Sequence, residues 1–223
     1  MRCQKKQRKR KISILAILIL LICAGILCKK SIFSIRHYAN TSNGWNLILV
    51  NKHNYIPRDY AIKLTKLYNG EKVDVRIYPG LQEMFNAARA DGVKLHVSAG
   101  YRTKKKQQEL MDKKIEAFKK EGYSKKKAIK FAKKWVAEPG TSEHQIGIAV
   151  DINADRYAAS SYLFSWLKKN SYKYGFIQRY PPEKDSITGI SYEPWHYRYV
   201  GKKAAEDIYK KGLCLEEYIQ MIN

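Results

Sequence analysis

A chain of 223 residues, 45% hydrophobic and 12% aromatic, carries enough apolar material for one packed domain with an appendage, which excludes a wholly disordered polymer. Its formal net charge of +23 points to work beside a polyanion such as an acidic wall polymer or a membrane surface. The standard nucleic-acid-binding signatures are missing, so nucleic acid is not an expected partner.

The first eleven residues hold seven positive charges (Arg2, Lys5, Lys6, Arg8, Lys9, Arg10, Lys11) and no acid, which makes them a basic cytoplasmic tail. Ile12 to Cys28 follow as 17 uncharged, mainly aliphatic residues, the short end of what spans a bilayer. With only Lys29 and Lys30 directly after the run, the positive-inside rule leaves the N-terminus in the cytoplasm. The chain is therefore expected at the cell membrane as a single-pass protein with its domain outside. A cleaved signal peptide is the main rival, but Gly25-Ile26-Leu27-Cys28 offers no small-x-small cleavage site. Residues 29–43 lack periodicity and read as a stalk, and residues 44–223 as the domain. The domain's one cysteine, Cys214, cannot form an internal disulfide and reads as a buried small hydrophobe.

Within the domain, Trp45 to Val50 is apolar and β-prone, the expected first strand. Val73, Val75 and Ile77 alternate with Asp74 and Arg76, the pattern of a half-buried strand. Pro79 opens a helix in which Leu81, Met84, Phe85 and Ala88 share a face until Asp91-Gly92 stops it. Leu95 to Ser98 reads as a short strand. Thr103 and Ser124 are N-caps for two helices, the first ended by Gly122. The stretch 113–134 contains ten lysines, mostly the solvated face of those helices. Ile148 to Ile152 is strand-like, and 161–169, 202–211 and the tail from Leu215 read as helices. Strands and helices do not strictly alternate, so the fold class is α+β: a small mixed or antiparallel sheet flanked by helices.

Three constellations carry possible chemistry. Ser142 to Asp151 places His144 in a glycine-containing turn and Asp151 on the following strand, where both can converge on one ion if the chain turns at Gly147. Glu193-Pro194-Trp195-His196 offers a further ligand and a carboxylate three residues apart. On a regular strand these two would face opposite sides, so this segment must bend for them to share a cavity. Ser98 to Thr103 sets Arg102 at a strand-to-helix junction, where it can serve an anion or form an ion pair with a nearby acid.

Arginine, then S-x-H-x6-D, then E-x-x-H, in that order, closely resembles the LAS peptidases, the zinc D-alanyl-D-alanine carboxypeptidase family that includes VanY-type vancomycin-resistance enzymes. The likeness covers about residues 45–201 and includes Leu49 to Lys52, the Gly100-Tyr101-Arg102 turn and Glu193 to Gly201. It implies one zinc per chain, held in a cleft by His144, Asp151 and His196. It implies Glu193 as general base, Arg102 at the scissile carbonyl oxygen, and Gln107 and Ser142 as contacts to the peptide and its terminal carboxylate. Thr103 and Ile148 replace a more usual serine and leucine, which touches only fine substrate contacts. The implied activity is a wall-facing D,D-carboxypeptidase, expected as a monomer, that takes the last D-Ala from peptidoglycan stem pentapeptides. An L,D-carboxypeptidase acting on tetrapeptide stems shares the motifs. The rival from another class is a wall-binding module without catalysis.

Overall fold

The computed structural model describes residues 36–153 and 161–223. The predicted tail 1–11, the predicted span 12–28 and residues 29–35 of the predicted stalk lie outside the described residues. Among the described residues, no helix is long and apolar enough to cross a membrane.

A compact unit runs from His37 to Asn223. Its first residues join the fold: the Ala39 amide donates to Tyr55 O at 2.7 Å, and Ala39 is buried. Trp45 to Val50 does not form the expected strand, although Ile48 and Val50 are fully covered. The carbonyls of Asn46 and Ile48 accept from the Arg198 guanidinium instead, so the segment needs no partner strand.

A two-stranded antiparallel ribbon, β1 (Leu64–Lys66) and β2 (Lys72–Asp74), precedes helix α1 (Tyr78–Ala90), with proline in its first turn. The alternating run Val73 to Ile77 thus stops early as a strand, because Asp74 turns to accept from the amide and guanidinium of Arg76. The main sheet has four antiparallel strands in the order β3 (Val97–Ala99), β4 (Ala149–Ile152), β6 (Glu193–Tyr199) and β5 (Phe176–Tyr180). Between β3 and β4 a helical hairpin is inserted, α2 (Lys104–Lys120) and α3 (Lys125–Ala132). Thr103 Oγ1 caps α2 by accepting from the Lys106 amide at 3.1 Å. The remaining helices are α4 (Ser161–Asn170), the single turn α5 (Asp185–Thr188), α6 (Lys202–Lys211) and α7 (Leu215–Ile222).

The period-2 alternation of the central strands decides what each face carries. Val150, Ile152, Phe176 and Tyr197 point one way, into a core completed by Leu81, Met84 and Ala88 of α1 and by Leu163, Trp166 and Leu167 of α4. Asp151, His196, Arg198 and Arg179 occupy the other face, all buried. Ile177 joins a second cluster there with residues of α6 and α7. The sheet therefore has an apolar face for stability and a polar face for chemistry.

Candidate metal centre

Strands β4 and β6 pair antiparallel, with Asp151 directly opposite His196, so register alone brings these two side chains together. His144 comes from a 3-10 turn, Glu143–Ile146, that precedes β4. That turn ends at Gly147, whose φ of +70° favours glycine, and an added Cβ would meet Ile62 and the Asp74 amide near 3.0 Å. Pairing between β5 and β6 slips after Gln178↔Tyr197, resuming at Tyr180↔Glu193. This bulge bends the segment as the E-x-x-H motif requires, and it leaves Glu193 and His196 both buried beside the same cavity.

His144 Nε2 lies 3.2 Å from Asp151 Oδ1 and 3.2 Å from His196 Nδ1, and His196 Nδ1 lies 3.0 Å from Asp151 Oδ1. Three buried donors thus converge within 4.8 Å, as for one ion. Two imidazole nitrogens and one carboxylate oxygen, with a cavity alongside, fit a catalytic zinc that keeps a coordination position open. The outward nitrogens are engaged too: His144 Nδ1 meets Gly100 O at 2.7 Å, and His196 Nε2 meets Glu143 Oε2 at 3.4 Å. Gly100 must be glycine, because a Cβ there would stand 2.2 Å from Lys72 O.

Electrostatics follow from burial and neighbours. Burial pushes the Glu193 carboxyl up to about 8, helped by the Asp151 charge and opposed by His196, Arg102 and Lys114. Burial alone would lower His196, but hydrogen bonds to Asp151 and Glu143 outweigh it and hold the imidazole at about 9. His144 is lowered, by burial first and by the Arg102 charge second. For Asp151, burial acts upward, and His144 with Arg102 overcomes it to hold the carboxyl well below its ordinary range.

A cavity of about 710 Å³ opens over this cluster. Arg102, Gln107, Ser142 and Glu193 all line it together with the three donors, so every residue that the sequence singled out faces one space. Glu193 Oε2 stands 3.9 Å from His196 Nδ1. The Arg102 guanidinium pairs with Asp151 Oδ2, the ion-pair reading of that arginine, and its amide donates to His144 O at 3.1 Å. Gln107 is 1% exposed: its Nε2 donates to Ala137 O at 2.7 Å, which leaves Oε1 buried without a partner. Three residues in this region carried no signal in the sequence. Lys113 and Lys114 of α2 line the cavity, and Lys114 Nζ sits 5.1 Å from the centre of the Trp135 ring. They were indistinguishable from the surrounding lysine-rich solvated face. Glu143 was overlooked between Ser142 and His144, where only its burial gives it away.

The model of one protein family, VanY, described as D-alanyl-D-alanine carboxypeptidase, matches residues 70–202. The chain is 57% identical over 176 residues to a D-alanyl-D-alanine carboxypeptidase of Enterococcus faecalis, covering 78% of this chain and 66% of that relative, just under two thirds of its length. Among solved structures, it is similar to a mutant of the vancomycin resistance D,D-pentapeptidase VanY from a VanB-type cassette, in complex with Zn(II). The TM-score is 0.76 at 57% identity, over 78% of this chain and 99% of that one. A second structure, VanYB in complex with D-alanine-D-alanine, gives a TM-score of 0.76 at 56% identity over 79% and 98% of the two chains.

Proposed function

Because this chain belongs to the VanY family of D-alanyl-D-alanine carboxypeptidases, we propose that it is a zinc-dependent D,D-carboxypeptidase that removes the C-terminal D-Ala from peptidoglycan stem pentapeptides. The observation that carries this reading is the convergence of His144, Asp151 and His196 beside a carboxylate, Glu193, at the floor of a cavity. Zinc, when bound, supplies a Lewis acid and brings the pKa of a water down to about 7.

The chain's own residues do the rest. Glu193, whose carboxyl a bound dication would bring down from the raised value it has beside the bare cluster, takes the proton of the attacking water and delivers it to the amine of the departing D-Ala. Arg102, held by Asp151 at the cavity wall, directs its remaining N–H groups to the carbonyl oxygen as negative charge develops there. Gln107 lines the same cavity and contacts the substrate peptide; its Oε1 is buried without a partner, so a peptide N–H reaches it only as the side chain shifts. Ser142 contacts the terminal carboxylate, with Lys113 and Lys114 supplying positive potential across the same cavity.

Reaction mixtures with free and C-terminally amidated pentapeptide stems, and with tetrapeptide stems, test this function by product mass. The expected result is release of D-Ala from the free pentapeptide, with amidation nearly abolishing turnover. Release from tetrapeptide alone would favour the L,D-carboxypeptidase reading, and equal cleavage of amidated peptide would overturn the requirement for a free terminus. No turnover by the zinc-loaded chain would leave a wall-binding module.

We further infer that the enzyme works outside the membrane as a monomer, tethered by residues 12–28, with its excess positive charge toward an anionic wall polymer or membrane surface. The support is the seven basic residues before the apolar run. Protease added to intact cells should remove the domain; protection until lysis would reverse the orientation.

A further inference from the structure

A histidine ligand is useful only if its ring is held at one angle and in one tautomer, and the group on its outer nitrogen does that holding. His144 is held by a backbone carbonyl, Gly100 O. His196 faces a side chain, Glu143 Oε2. The other oxygen of this carboxylate, Oε1, receives Arg179 Nε at 2.8 Å and Arg198 Nη1 at 2.7 Å. All three of these side chains are 0% exposed. Arg179 then clamps Glu216, on the first turn of α7, through Nη1 at 2.9 Å and Nη2 at 2.7 Å. An unbroken path thus runs from the C-terminal helix to a donor of the metal cluster: Glu216, Arg179, Glu143, His196.

Stability does not explain why Glu143 and two arginines are buried here with Glu216 half-buried beside them, because a well-packed apolar set of the same volume is often equally stable or better. Geometry does. The turn that carries His144 inward also sets Glu143 behind His196, so four residues of chain hold both imidazoles. Oε1 is saturated by two guanidinium donors, which leaves Oε2 for the imidazole N–H. Glu216 lies beyond residues 70–202, the part matched by the family model.

We propose that Glu143 is a positioning residue for the metal ligand His196 and that Glu216, acting through Arg179, is the outer end of the same chain. This rests on the metal reading of the cluster. Glu216 tunes how tightly the ion is held without touching it or the substrate, which makes α7 part of the metal site.

Zinc affinity by chelator competition on the full chain is the test. Relative to wild type, Glu143→Gln should bind zinc about 10- to 100-fold more weakly and Glu216→Gln about 3- to 10-fold more weakly. Glu217→Gln is the control, because Glu217 lies next door on α7 but spends its carboxylate on Lys184 and the Cys214 amide. Its affinity should stay within about 2-fold of wild type, even though the helix loses that cap. At saturating zinc, KM should change less than about 2-fold in all three, because the path orients the ion and not the peptide. Wild-type zinc affinity in Glu143→Gln, or equal losses in Glu216→Gln and Glu217→Gln, would overturn the proposal. Should Glu143→Gln fail to fold, the Glu216 and Glu217 pair still decides. A wild-type chain that binds no zinc would instead remove the metal reading, and this inference with it.

Discussion

The two walls of the catalytic cavity are built in opposite ways. The sheet wall is dry and mostly long-range: Asp151, His196, Glu143, Arg179 and Arg198 are all buried, and the contacts of Glu143 to both arginines and of His196 to Asp151 join segments far apart in the chain. The hairpin wall, α2 with Trp135 to Ala137 just after α3, is wetter, with a small core of Met111, Ala132 and Val136 under a lysine-rich surface. In the proposed function, one wall holds an ion and a base to fractions of an ångström. On the proposed reading, the other presents an aromatic ring and positive charge to a flexible peptide. Charges on the sheet wall therefore act at full strength and fail together, while those on the hairpin are screened and act singly.

Removing one sheet-wall cation tests this contrast most severely. Arg198→Met strips a buried guanidinium from Glu143 and from the carbonyls of Asn46, Ile48 and Tyr199. Denaturant unfolding should show a loss of about 3–5 kcal/mol. A loss below about 1 kcal/mol would mean that the network is not cooperative. Glu193→Gln touches the same wall without breaking its packing. Zinc content should persist while kcat falls at least ~10²-fold, since the amide cannot take the water's proton. Loss of zinc instead would make Glu193 a ligand.

Gln107→Leu sharpens the comparison from the hairpin side. It deletes Oε1 and the bond that Nε2 donates to Ala137 O, so KM should rise about 5- to 10-fold, the worth of roughly one hydrogen bond. An unchanged KM would show that Oε1 does not meet the substrate. Lys114→Met should raise KM only about 2- to 4-fold, and added salt should erase the difference. A larger, salt-independent effect would place that lysine in direct, desolvated contact.

Acid stability gives the gentlest probe. Burial acts to raise the Glu216 carboxyl, but the Arg179 charge overcomes it and holds it below its ordinary 4.5. A depressed carboxyl contributes stability above its unfolded value, and that contribution fades as pH falls through 4.5 toward the folded value. Wild type should therefore lose its margin over Glu216→Gln on acidification, with Tm curves converging as pH falls from 4.5 through the lowered folded value. A constant gap would mean that the pair's charge plays no part.

How much was legible in advance follows the same division. Helices α1, α2, α6 and α7 were readable because capping, 3.6-residue periodicity and glycine stops act over a few residues. Thr103 capping α2 is such a case. Strands β5 and β6 were harder: Phe176 to Tyr180 shows no alternation because both its faces are covered, and Pro194 argued against a ladder that a bulge in fact accommodates. Trp45 to Val50 misled for the converse reason, being apolar enough for a strand but hydrogen-bonded by a distant arginine.

The sequence by itself determined the chemistry on offer: which residue types, in what order, and hence the family, because ligand identity and short spacings are local properties of the chain. Only the tertiary structure decided how those residues meet. Asp151 faces His196 through strand register, Glu193 reaches the same cavity through the β5–β6 bulge, and Glu143 stands behind His196 through contacts across 53 and 55 positions of chain. Such pairings depend on the global packing of the sheet, where a one-residue slip of β6 would turn His196 away from Asp151 to the opposite face.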